Sequence, residues 1–387
     1  SLVVSKGYFP DRVDLAWTTD GNPISRFSVE RRLYDVGNTG KFASIGTVEN
    51  VEGQRDYRFS ETTANPGDIY EYRIMALTDC AGEVKQKPSA IVRGFRSPTG
   101  IVSGRITYSY GDAVPGVDVI LSSKDLLAGQ SILFTGDASS YLETDETVDM
   151  PANFTVQAYV KPTKAKQDAI IISAGCYSLG LQGGKPAFKA KGNAEWTVAD
   201  TVLSTNSFTQ LTAMYDGTSF NIYVGGELKK SHAATSSLVD TPSPAKVTIG
   251  KSYAGYIDEI RLWNKGLSDI EVGQTYNRLL AGNESGLMAY WRLNDLVTDE
   301  FYDISYSKAD YNAHHGKIHN ATLETGSEDY PTPGQLALRG VTDASGNYSV
   351  SGIPYQGNGT AYTLTPTHPI FSFSPTMQNV TIGPDAV

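Results

Sequence analysis

An all-β chain of two or three units is the prediction from this sequence, and three observations carry it. Runs that alternate apolar and polar residues recur about 8 to 15 residues apart, as short strands do. Between them stand Asp-Gly, Asn-Thr-Gly and Asn-Pro-Gly turn signals, supported by 38 Gly and 18 Pro in 387 residues. Only "LSDIEVGQTYNRLLAG" reads as a helix, with Asp269 and Glu271 in its first turn and Gly282 past its end. A length of 387 residues exceeds what one β core supports, so the chain divides.

The formal charge of -10 is spread along the chain without a basic stripe. That argues against nucleic acid or an anionic membrane as the partner. No apolar run approaches the roughly 20 residues that span a bilayer, so membrane insertion is not expected. The sequence opens on Ser1 without a secretory leader, which reads as a monomeric fragment of a longer chain. Cys80 and Cys176 fall in different units and are expected as buried or free thiols.

The first unit spans residues 1–97. Its strand-like runs are "RVDLAW", "ISRFSVERRL", "FASIGTV", "RDYRFSET", "IYEYRIMAL" and "SAIVRGF", a spacing that suits an immunoglobulin-like sandwich. Trp17 in "LAW" and "GDIYEYRIMALTDCAG" resemble the core tryptophan and the Tyr-x-Tyr-Arg-Val-x-Ala stretch of fibronectin type III domains. Tyr70 fits that family's tyrosine corner, and Trp17 and Tyr72 are core fillers.

After the linker "FRSPTG", the run "IVSGRITYSYGDAVPGVDVILSS" offers two strands and a turn, too few to bury a face alone. Candidate partners stand in "LRGVTDASGNYSVSGIPYQGNGTAYTLTPTHP". Together, 98–125 and 335–387 resemble the carboxypeptidase regulatory-like family of small β-sandwiches, interrupted by an insertion at 126–334. A loop tolerates such an insertion because closure entropy grows slowly with length.

The inserted segment has its own strand series. Its ordered set is "FTGD" at 134–137, "YDGT" at 215–218, "IDEIRLWN" and the closing "YWRL". In that order these resemble the laminin G-like, concanavalin A-type jelly roll. The fold class expected is therefore all-β, with immunoglobulin-like sandwiches plus a concanavalin A-like jelly roll.

In "AGYIDEIRLWNKGLSD" the adjacent Asp258 and Glu259 raise the question of catalysis. A retaining glucanase needs carboxylates on one face of a strand, two positions apart, whereas strand alternation sends neighbours to opposite faces. On that period Asp258 joins Ile260 and Leu262, and Glu259 joins Arg261 and Trp263 with an ion pair between Glu259 and Arg261. No catalytic residue is expected. Asp258, on the more apolar side, needs a partner, either turn amides or a cation. Jelly rolls that this one resembles often carry a structural calcium, and the matching oxygen ligands here are Asp137 and Asp258.

His314, His315 and His319 in "HHGKIH" lack helical chelating spacing and read as a packed or solvated loop. "GNESG" lacks a nucleophile elbow around Ser285. Trp196 in "KGNAEWTVAD" is the aromatic chosen as a ligand platform, with packing as the alternative; Trp263 and Trp291 read as core. The resemblances imply a non-enzymatic binding or adhesion region of a bacterial surface or secreted protein, taking a glycan or an extracellular protein. Alternatives are a structural spacer and the accessory carbohydrate-binding region of a secreted glycoside hydrolase.

Overall fold

The computed structural model describes residues 1–387 except 21–22, 36, 38–39, 81–82, 124–129, 150, 176, 191–194, 235–243, 281, 294–298, 306–313, 325–330, 332–337, 356 and 385–387. The side chains of Cys80 and Glu83 are also outside the description, so the expectation for Cys80 and Cys176 falls beyond the described residues. The molecule is nearly all-β.

Residues up to Gly94 form strands β1 (Leu2–Val4), β2 (Val13–Thr18), β3 (Arg26–Leu33), β4 (Ala43–Glu49), β5 (Asp56–Glu61), β6 (Tyr70–Cys80), β7 (Glu83–Pro88) and β8 (Val92–Gly94). They make two sheets, β1-β2-β5 and β4-β3-β6-β7, with β8 added to β6. Strand β2 alternates so that Val13, Leu15 and Trp17 all face inward. Trp17 stacks on Tyr57 at 5.8 Å and meets Phe27 edge-on, with Tyr72 buried beside them. Tyr57 keeps its polar end satisfied by donating to Asn50 Oδ1 at 2.7 Å. The Tyr70 hydroxyl accepts from the Asn65 amide at 3.4 Å.

Strands β9 (Thr99–Arg105) and β10 (Asp118–Ser122) follow, and then the jelly roll. Its strands are β11 (Ser131–Thr135), β12 (Tyr141–Thr144), β13 (Phe154–Pro162), β14 (Ala169–Ser173), β15 (Tyr177–Gln182), β16 (Lys185–Ala190), β17 (Thr197–Val198), β18 (Thr209–Tyr215), β19 (Ser219–Val224), β20 (Glu227–Ala233), β21 (Thr248–Ile249) and β22 (Ala254–Trp263). Helix α1 (Asp269–Thr275) precedes β23 (Leu287–Trp291), β24 (Glu300–Phe301), β25 (Gly316–His319) and β26 (Thr322–Glu324). The first jelly-roll sheet runs β20-β19-β18-β13-β22-β11-β26 with β23 on β22; the second runs β17-β16-β15-β14-β21-β12-β25-β24. Phe134, Phe154, Phe188, Phe220 and Trp291 fill the space between them. The β19–β20 hairpin turns on Gly225 and Gly226, whose φ values of +60° and +80° are the pair that a tight primed turn requires.

The remaining strands are β27 (Leu338–Val341), β28 (Asn347–Pro354), β29 (Thr360–Thr367) and β30 (Gln378–Ile382). They close on the strands that precede the jelly roll, in sheets β27-β10-β29-β30 and β28-β9. Val119, Leu121, Ile353, Tyr362 and Leu364 form that core.

The helix is shorter than its sequence pattern. Its start is a capping box: Ser268 Oγ accepts from the Glu271 amide at 3.3 Å, and Glu271 Oε2 accepts from the Ser268 amide at 2.8 Å. It ends at Thr275, where Arg261 binds its last carbonyl and that of Arg278 just beyond. Arg261 Nη1 donates to Thr275 O at 2.8 Å, and Nη2 to Arg278 O at 2.5 Å.

Candidate functional site

The two outer faces of the jelly roll differ, and the acidic doublet belongs to the closed one. Strand β13 sends Val156, Ala158 and Val160 into the core, and Thr155, Gln157 and Tyr159 to the outer face. On β22, Asp258 is opposite Tyr159, whereas Arg261 is opposite Gln157, so two residues of β22 stand against Ala158 alone. This is a β-bulge, and Glu259 occupies it with a φ of +51°. The extra residue reverses the parity. Asp258 therefore lies on the outer face with Arg261 and Trp263, and not with Ile260 and Leu262 as strict alternation predicts.

All of these groups are buried beneath α1 and the segment after it. Arg261 Nη2 donates to Glu259 Oε2 at 2.9 Å, and Tyr290 Oη donates to the same oxygen at 2.5 Å. Tyr159 donates its hydroxyl to the Tyr276 carbonyl. Trp263 Nε1 donates to Gln157 Oε1 at 3.0 Å, which ties the network to β13. Asp258 Oδ1 accepts from the Glu259 amide at 2.8 Å. Burial, with the charge of Glu259 added, pushes the Asp258 carboxyl well above the usual range. Burial also raises Glu259, against the opposing pull of Arg261. Both carboxylates are thus buried, Glu259 against the Arg261 guanidinium and Asp258 against the Glu259 amide.

Asp137 and Asp258 are not brought together. Ile132 pairs with Ile257 and Thr135 with Ala254, so Asp258 is level with Ser131 while Asp137 lies six residues further along. The four strand steps from Ser131 to Thr135 alone span about 13 Å at about 3.3 Å per residue, beyond the reach of one cation. Asp137 is exposed and accepts from Thr135 Oγ1 at 3.0 Å. Among the described residues, no group of three or more His, Cys, Asp and Glu side chains could hold a metal ion. Two of the histidines meet Asp303 and the third lies apart. His314 Nδ1 lies 3.1 Å from Asp303 Oδ2, His315 Nδ1 accepts from the Asp303 amide at 3.1 Å, and His319 stacks on Tyr141 at 4.6 Å. Burial, aided by Lys6, drops His315 to about 3, so it is neutral.

The outer face of the second sheet carries partly exposed side chains along its length. Tyr141 pairs with His319, Glu143 with Lys317 and Ser173 with Ser178. At the far edge, Ala187 pairs with Val198 and Phe188 with Thr197. Trp196 directly precedes β17, and an extension of that register by one step would bring it opposite Lys189 on the outer side; both are half-buried. Trp196 and Tyr141 thus stand on one face five strand spacings apart, about 24 Å. Hydroxyls of Ser173, Ser178 and Thr248 lie between them by the same alternation. Sequence reasoning singled out Trp196 but missed Tyr141, whose position depends on pairing with a strand some 175 residues away.

Residues 135–273 match the family model described as the concanavalin A-like lectin/glucanases superfamily, and the jelly roll has the concanavalin A-like fold. No curated protein matches the chain. Among solved structures, one similar chain is a Bacteroides ovatus ATCC 8483 protein provisionally described as carbohydrate-binding. It is 14% identical, with 84% of this chain and 92% of that one covered, at a TM-score of 0.42. A heptameric SAP-like pentraxin from Limulus polyphemus is 9% identical over 56% of this chain and 97% of its own, at 0.35. Domain 4 of AbnA, an extracellular arabinanase from Geobacillus stearothermophilus in complex with arabinotriose, is 16% identical over 46% and 87%, at 0.32. No helix among the described residues is long and apolar enough to cross a membrane.

Proposed function

We propose that the jelly roll is a non-catalytic binding module that holds a glycan on the outer face of the second sheet, with Trp196 and Tyr141 as stacking platforms. One observation carries the reading. The first sheet's outer face is covered where β13 and β22 meet, with Glu259 paired to Arg261, whereas the second sheet offers half-buried rings with hydroxyls between them. Half-buried rings, Tyr141 among them with His319 stacked on it at 4.6 Å, beside a row of small hydrogen-bonding groups suit a polar ligand with apolar patches, as a sugar ring is. The setting we propose is extracellular or at a cell surface. There, a fibronectin type III-like unit and a carboxypeptidase regulatory-like host would flank the module; the three-stranded and five-stranded sheets of the first sandwich and the closure of β9 and β10 by β27 to β30 support that division. Screening the chain on a glycan array tests the function, with Trp196→Ala and Tyr141→Ala compared at matched melting temperature. Glycan binding that survives both substitutions unchanged would refute it.

A spacer role is favoured by a separate observation. Arg93 of the first sandwich meets Asp299 at 2.8 Å and Glu300 at 3.4 Å, and Phe95 packs on Tyr302 at 5.0 Å. Such a joint would fix the direction in which the module is presented.

A further inference from the structure

The sandwich built from β9, β10 and β27 to β30 contains an open cleft of about 730 Å³, within the usual size of a ligand site. It lies between the chain leaving β9 and the connection from β29 to β30. Three features define what would fit. The first is composition: the lining includes Tyr108, Tyr348, Phe371, Phe373 and Met377, and no Asp, Glu or Lys. Enrichment in aromatics, Met and Arg with depletion of Lys, Asp and Glu is the signature of a protein interface core. Ile370 and Met377 are 80% and 57% exposed at its rim, more apolar surface than the sandwich needs for itself.

The second feature is a lone cation. Arg105 is the one charged residue of the lining, and its Nε donates to the Ser345 carbonyl at 3.0 Å. Its two terminal amino groups make no hydrogen bond to a described residue. A guanidinium held at Nε, with no carboxylate in the lining, is complementary to a carboxylate brought by the partner.

The third feature is a strand edge. Among the described residues strand β9 pairs with β28 only and packs against β30, and its last residue, Arg105, lines the cleft. An unpaired edge supplies backbone donors and acceptors to an incoming strand. Tyr108, stacked at 5.1 Å on Tyr110 and meeting Phe371 edge-on at 5.5 Å, holds the cleft wall in shape beside it.

We infer that this sandwich captures an extended segment of another protein, which adds to the free edge of β9, places an aromatic or branched side chain in the cleft and sets a carboxylate on Arg105. Backbone pairing would supply affinity, and the cleft and guanidinium would supply selectivity. The site is separate from the open face of the jelly roll and does not depend on its reading.

The test is selection of a phage-displayed random heptapeptide library on the full chain, followed by titration of the enriched peptides. Enriched peptides are expected to alternate apolar with polar residues and to carry Asp or Glu. Arg105→Ala and Met377→Glu are each expected to weaken them by about tenfold or more, with Arg105→Lys intermediate and Trp196→Ala without effect. Proline at the centre of a peptide is expected to abolish binding, because it removes a ladder donor. Both altered side chains are exposed, and a thermal melt verifies that the variants fold. No enrichment above background would overturn the inference. So would enriched peptides that bind Arg105→Ala as well as they bind the parent, or an acidic oligosaccharide, and no peptide, held through Arg105.

Discussion

Glu259 stands in the left-handed region at φ +51°, and this one residue decides the surroundings of Asp258, Arg261 and Trp263. The sequence made the Glu259–Arg261 pair legible, because residues two apart share a face. It could not reveal the bulge, which depends on how β22 meets β13, and so it set Asp258 on the wrong side. The pair is also fully buried, where strand period alone would have allowed a weak surface contact. Breaking it leaves a charge without its partner in the interior, so Arg261→Ala is expected to cost about 3 to 5 kcal/mol in urea unfolding. Replacing both by Glu259→Leu and Arg261→Met is expected to cost less than the sum of the two single changes. Additive losses would mean that the pair does not act as a unit.

Among the elements, α1 is the clearest case of a signal read in part. The acidic first turn at Asp269 and Glu271 was visible, and it folds into the capping box with Ser268. The end was not, because the guanidinium that donates to the Thr275 and Arg278 carbonyls comes from β22. Ser268→Ala is expected to destabilise by about 0.5 to 2 kcal/mol, read as a lower urea midpoint with an unchanged slope. Strands fared better, since their alternation is local: "FTVQAYVKP" is β13 and "VDVILSS" contains β10. Their partners are not local. Strand β10 lies between β27 and β29, more than 200 residues further along the chain, a relation that pattern alone does not encode.

On the scale of the whole molecule, Glu300 joins the first sandwich to the jelly roll. Burial would raise its carboxyl, but Lys6, Lys317 and Arg93 outweigh this and hold it at about 2. Because the folded value is depressed, the stabilisation is fully present above the ordinary value near 4.5 and is lost as pH falls from there towards 2. Acid titration of the joint, followed by small-angle scattering, is expected to show loosening across that window, and Glu300→Gln to show it already at pH 7. A joint unchanged between pH 5 and 2 would assign its rigidity to Phe95 and Tyr302 instead.

The open sheet face bears the functional claim, and titration calorimetry reads it most directly. With a glycan selected by array, Trp196→Ala is expected to weaken binding by about tenfold while the melting temperature holds. Equal affinity in parent and variant, or heat only from changes at Arg105, would contradict a glycan site on this face.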